Sequence, residues 1–194
     1  LGWNTSDGTL QFGMGNGIVL QIGEETLYQV RNATGSTILN GTPVYCSGVT
    51  VCSGRIEASP STNAIDPVSF LGLATQDITN GVNGKITHFG YVRGLDTRGT
   101  EASSIAVGDE DWAVGDKLFI HPSATGKLTN VEPQAPNVKI CVATVINRHQ
   151  STGVLFVRPT TNLDITKLSD VQIANIANGE VLAYNGTSAR WENK

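Results

Sequence analysis

Three histidines, three cysteines and a few neighbouring carboxylates are the side chains here that could do chemistry. His88, His121 and His149 each stand alone in their segments, with no HxH, HxxxH or HExxH spacing to aim two imidazoles at one metal ion. No metal or cofactor site is expected. Gly13-Met14-Gly15-Asn16-Gly17 has the composition of a phosphate cradle, but a cradle opens a helix, where free N–H groups meet the anion. Here the apolar run Ile18-Val19-Leu20 follows, so the glycines read as a turn or bulge in β structure. Asp109 with Asp111, and Glu24 with Glu25, lie close in sequence rather than opposed across a cleft, as glycoside hydrolysis requires. Asp109-Glu110-Asp111 also lacks the spaced ligand series of a calcium loop and reads as solvated loop. No catalytic residue is expected.

The cysteine count is odd, so a complete intramolecular disulfide framework is excluded. Cys46 and Cys52 lie six residues apart and could pair, either on one face of a strand or across a turn. The alternative, small buried thiols in a protein assembled in a reducing cytoplasm, is favoured.

These residues must be positioned by β structure. Only 15% of the chain is charged, against roughly 25% in ordinary globular domains, and 22 glycines punctuate it. Few strong helix formers remain, and the expected class is all-β, a short-stranded sandwich or barrel body with terminal β-hairpin modules and little helix. The formal net charge of −4 argues against nucleic-acid binding. No apolar run approaches the roughly 18 residues of a membrane span, so no membrane insertion is expected. The chain starts at Leu1 with no initiator Met or signal-like apolar stretch and stops as abruptly at Lys194, which is expected either of a chain whose first residues were removed or of a piece of a longer protein.

Turn chemistry divides the sequence into an N-terminal hairpin or attachment segment (1–40), a β body (41–159) and a C-terminal linker and hairpin module (160–194). Within the body, short strands recur every 8–12 residues or so. The consecutive apolar residues of 142–146 and 154–157 predict central strands covered on both faces. Residues 97–111 are expected to form a long surface loop. Single helical turns are predicted at 164–168 and 169–176, and Asn185-Gly186 predicts a two-residue type I′ hairpin turn.

Both ends of the chain carry specific text. Residues 168–191 run Leu-Ser-Asp-Val, then Asn178-Gly179-Glu180-Val181-Leu182-Ala183-Tyr184-Asn185-Gly186, then Trp191. At the other end stand Trp3-Asn4, Gly8-Thr9-Leu10, Val19-Leu20-Gln21-Ile22-Gly23 and the phrase Arg31 to Tyr45, RNATGSTILNGTPVY. The chain resembles, at both ends, tail-fibre and related virion proteins of tailed bacteriophages, while the middle matches only in style.

That resemblance implies a non-enzymatic virion structural protein that anchors or transmits host recognition. It implies a homotrimer assembled in the host cytoplasm, with other tail, baseplate or capsid proteins as partners. Intersubunit apolar surface is expected from Ile18, Leu20 and Ile22, or from Ile173, Ile176, Val181 and Leu182. The alternatives are a capsid decoration protein and a carbohydrate-binding receptor module. In the last, Tyr91 and an exposed Trp112 would stack on a host surface glycan.

Overall fold

A computed structural model describes residues 1–5, 8–50, 54–62, 65, 67–161, 165 and 168–194. They form two units, Leu1–Thr161 and Asn162–Lys194. The architecture is all-β as expected; helix is confined among the described residues to 3-10 geometry, at Pro67–Ser69 and at Ile165.

The first unit opens with an antiparallel three-stranded sheet of β1 (Gly2–Asn4), β2 (Thr9–Gly15) and β3 (Ile18–Gln21). Its second hairpin closes at Asn16-Gly17 with Gly15 paired to Ile18. Both turn residues have positive φ, 51° and 76°, the two-residue geometry that matches strand twist.

Five strands then close a barrel: β4 (Thr26–Asn32), β5 (Pro43–Thr50), β6 (Arg55–Pro60), β7 (Phe70–Ala74) and β8 (Asn83–Leu95). The ring runs β8-β4-β6-β5-β7 and back to β8. Val30, Ile38, Val44, Ala58, Ala74, Ile78 and Ile86 form its core. Strand β4 and Ile38 are thus barrel elements. The separate N-terminal element ends at β3, not at residue 40, because these apolar side chains have their partners inside the ring.

A local two-fold relation organises the barrel. Ile38 and Ile78 exchange backbone hydrogen bonds (3.0 and 2.7 Å), and each is followed by a turn with a left-handed glycine, Gly41 or Gly81. Gly41 N–H donates to Ala74 and Ala74 N–H to Thr42, as Gly81 N–H donates to Asn32 and Asn32 N–H to Val82. The turn needs φ > 0 at its third residue, hence glycine.

Strand β8 is long because it serves two sheets. Its first half closes the barrel, and its second half pairs with β12 (Gly153–Thr161). From there the sheet continues through β11 (Ile140–Asn147), β9 (Lys117–Ile120) and β10 (Leu128–Thr129). Strands β11 and β12 are central, but they are dry on one face only. Val145, Leu155 and Val157 are fully buried, Phe156 is half-buried and Ile146 is exposed.

The segment 97–111 is a loop, but only partly at the surface: Glu101, Ala102, Val107 and Asp109 are exposed, whereas Thr97, Ser103, Ile105 and Ala106 are buried, and Ile105 and Ala106 join the large core beneath this sheet. Glu110 ties the segment down. One oxygen accepts from Trp112 Nε1 (2.7 Å) and Asn130 N–H (3.0 Å), the other from Thr129 Oγ1 (2.6 Å).

The second unit is a three-stranded sheet of β13 (Val171–Gln172), β14 (Leu182–Asn185) and β15 (Arg190–Asn193), in the order β13-β15-β14. Strand β13 takes the place of the helical turn expected at 169–176; most of 164–168 lies outside the described residues. Asn185 stays in the strand, paired with Arg190, and the turn takes four residues rather than two. The cause is its side chain: Oδ1 accepts from Thr187 N–H (3.0 Å) and Ser188 N–H (3.4 Å), a side-chain turn that Gly186 enters without positive φ.

Candidate interaction surface

Strand register sorts the N-terminal sheet into two faces. Asn4 opposes Thr9 and Gln11 opposes Gln21, giving one mainly polar face, on which Val19 opposite Gly13 is the exposed apolar exception. Trp3 opposes Leu10 and Phe12 opposes Leu20, giving one apolar face. A lone sheet on a globular body is expected to bury the apolar side. Here the reverse holds. Thr9 and Gln21 are buried at 7% and 2% exposure, while Trp3, Phe12 and Leu10 stand open at 64%, 47% and 38%. Ile22, just past β3, is also exposed.

The polar face is seated by one carboxylate. Glu25, with a side chain only 1% exposed, accepts from Gln21 N–H through Oε2 (2.8 Å). Its Oε1 accepts from Arg93 Nη1 (3.0 Å) and Tyr91 N–H (3.3 Å) of β8. Gly90 makes room for it, since a Cβ there would lie 2.6 Å from Glu25 Cγ, at a φ of 121°. The Glu25 that looked like half of an adjacent pair in sequence is therefore a buried clasp between two strands. An uncompensated carboxylate at this depth would be costly, and the three donors remove that cost.

Tyr91 belongs to the same seat. The Arg93 guanidinium lies over its ring at 4.9 Å and the Phe156 ring sits 5.3 Å away. Tyr91 is half-buried, one face already covered, beside an open polar cleft of about 500 Å³ lined by Asn16, Asn40, Gln76, Asp77 and Arg93. Trp112 is fully buried, under Gly99 and bonded to Glu110. It cannot stack on a sugar: its indole fills the core, and the expectation of an exposed platform fails there.

The residues expected at a subunit interface divide in the same way. Ile18 is buried within its own chain at 5% exposure, against a crevice that includes Thr75, Tyr91 and Arg93, and it offers no free surface. Leu20 and Ile173 are half-buried. Ile22, Ile176, Val181 and Leu182 are exposed. In the second unit, Val171, Leu182, Tyr184 and Trp191 share one face of the sheet, with Tyr184 and Trp191 in edge contact at 5.6 Å. Gln172, Ala183, Asn185, Arg190 and Glu192 share the other. No described residue of this unit is buried.

The isolated histidines have local work. His121 Nδ1 accepts from Ser123 and Ala124 N–H, and His149 Nδ1 from Ser151 and Thr152 N–H, so each closes its own turn. His88 Nδ1 lies 2.7 Å from the Leu71 carbonyl. Among the described residues no His, Cys, Asp or Glu grouping of three could hold a metal ion. Cys46 and Cys141 are free thiols, and burial pushes the Cys141 thiol above its usual range. Cys52 lies outside the described residues, and with it the Cys46–Cys52 pairing. Among the described residues no helix is long and apolar enough to cross a membrane.

Comparison with known proteins gives no matching family model and no matching curated relative.

Sequence reasoning missed Trp3, Leu10 and Phe12 as the exposed face. The alternation Thr9-Leu10-Gln11-Phe12 shows that two faces exist; which one meets the body depends on Glu25, sixteen residues beyond Thr9.

Proposed function

We propose that this chain is a non-enzymatic structural protein of a tailed-bacteriophage virion, a tail-fibre or tail-associated segment that anchors or transmits host recognition, and that it works as a homotrimer. The carrying observation is the pair of terminal three-stranded sheets, each of which leaves an apolar face uncovered within its own unit. Exposed apolar faces of this kind mark association surfaces. A unit of about 33 residues, with no buried side chain among its described residues, falls below the size at which a domain usually sustains itself without staples or partners. Two of the phrases that resemble fibre text, Trp3 to Gly23 and Leu168 to Trp191, contribute these two sheets, while the third, Arg31 to Tyr45, belongs to the barrel.

Immunogold electron microscopy of purified phage particles tests the reading, using antibodies raised against the chain. Gold at the tail or its fibres is the expected result. Gold spread over the capsid shell would make the chain a decoration protein instead. Absence from particles, together with glycan-array binding by the free chain, would replace the structural role with a receptor module.

A further inference from the structure

We infer that the outward face of the N-terminal sheet, built from Trp3, Leu10, Phe12, Leu20 and Ile22, is the surface on which further copies of this chain close. The inference rests on the oligomeric part of the reading above, to which it assigns a specific face and mode of packing.

Its first support is the inversion itself. The β1–β3 sheet turns its polar side to the body, with Thr9 and Gln21 buried and the Glu25 clasp behind them. A monomer in water gains more by burying Trp3, Leu10 and Phe12 than by burying Thr9 and Gln21. The observed arrangement therefore suits a chain whose outer face is covered by something else. The rigid seat on β8 through Glu25 holds that face in a fixed orientation, so the association need not order a floppy arm.

Its second support is charge. Between Leu1 and Gly23 the sequence carries a single charged residue, Asp7, and the side chains that make up the apolar face are all uncharged. Identical faces can meet without like-charge repulsion, which is the condition a self-complementary or cyclic interface must satisfy. Its third support is area. At about 200 Å² per fully open large apolar side chain, Trp3, Leu10, Phe12 and Ile22 leave on the order of 400 Å² uncovered. With a polar rim, that approaches the roughly 800 Å² per partner of a standard stable interface.

Sedimentation equilibrium of the full chain across a concentration series, beside a Leu10→Ser/Phe12→Ser double variant and a Val131→Ser control, tests the assignment. Val131 is exposed in the same unit, away from this sheet. The expected result is an oligomer for the unmodified chain and the control, with the half-dissociation concentration of the double variant raised at least about tenfold. An oligomeric chain whose double variant dissociates at the same concentration overturns this interface and leaves the oligomeric reading standing. A chain monomeric at every concentration overturns both. Hydroxyl-radical footprinting of the unmodified chain keeps the test open if the variant fails to fold. Trp3 and Phe12 should lose reactivity as concentration rises, and constant reactivity would count against the interface.

Discussion

The barrel and the N-terminal sheet are made of the same kinds of strand, yet they treat their faces in opposite ways. In the barrel, Val30, Val44 and Ile86 point inward and are fully buried. In the N-terminal sheet, Thr9 and Gln21 point toward the body and Trp3, Leu10 and Phe12 away from it. The barrel satisfies itself, because a closed ring supplies every strand with neighbours and a shared interior. The N-terminal sheet is fixed by one polar clasp and spends its apolar residues on the outside. The difference separates a part that makes the fold from a part that uses it.

The largest effect is expected from the body's buried interior, in the core beside the barrel rather than in the barrel itself. Trp112→Ala removes the indole that fills the core beside Gly99 and takes away one of the three donors to Glu110. A loss of about 4 kcal/mol is expected, seen as a fall of roughly 10 °C in the melting temperature by calorimetry.

Next comes the clasp. Glu25→Ala leaves the N–H groups of Gln21 and Tyr91 and the Arg93 guanidinium without their acceptor, a change of roughly 2 kcal/mol. Hydrogen exchange should show lost protection in β2 and β3 with the barrel amides unchanged. Uniform loss across both would mean that the two regions are one cooperative body.

A smaller effect is expected in the second unit, where Asn185→Ala deletes the acceptor for Thr187 and Ser188 N–H. About 1 kcal/mol is at stake, and the exchange of those two amides should accelerate roughly fivefold.

Acid should act last and least. The Arg98 hydrogen bond holds the Asp96 carboxyl below its ordinary range, and the Ala113 N–H does the same for Asp116. Groups with depressed folded values lend stability that is complete above the ordinary carboxylate range and lost as pH falls through the depressed values. The melting temperature of the body should be flat from pH 7 to about 5 and then decline. Asp96→Asn should make that decline shallower, and an unchanged slope would remove the Asp96–Arg98 pair from the account.

Much of this was legible in the residues. Low charge, recurrent glycine turns and β-branched runs determined an all-β chain of short strands, because those residue types leave few other ways to satisfy the backbone. The apolar runs 142–146 and 154–157 announce β11 and β12. The near-repeat Ile38-Leu39-Asn40-Gly41 and Ile78-Thr79-Asn80-Gly81 was present as text. Its meaning, two turns related across a bridge, needed the closed ring.

Tertiary structure alone decided the burial of Trp112, the inward path of 97–111 and the role of Glu25. Each depends on partners far along the chain, and no local periodicity reports them. It also decided which side of the N-terminal sheet faces water. Alternation in a strand fixes that there are two faces, whereas the choice between them is made by whichever contacts, here a buried carboxylate and three donors, the rest of the fold brings within reach.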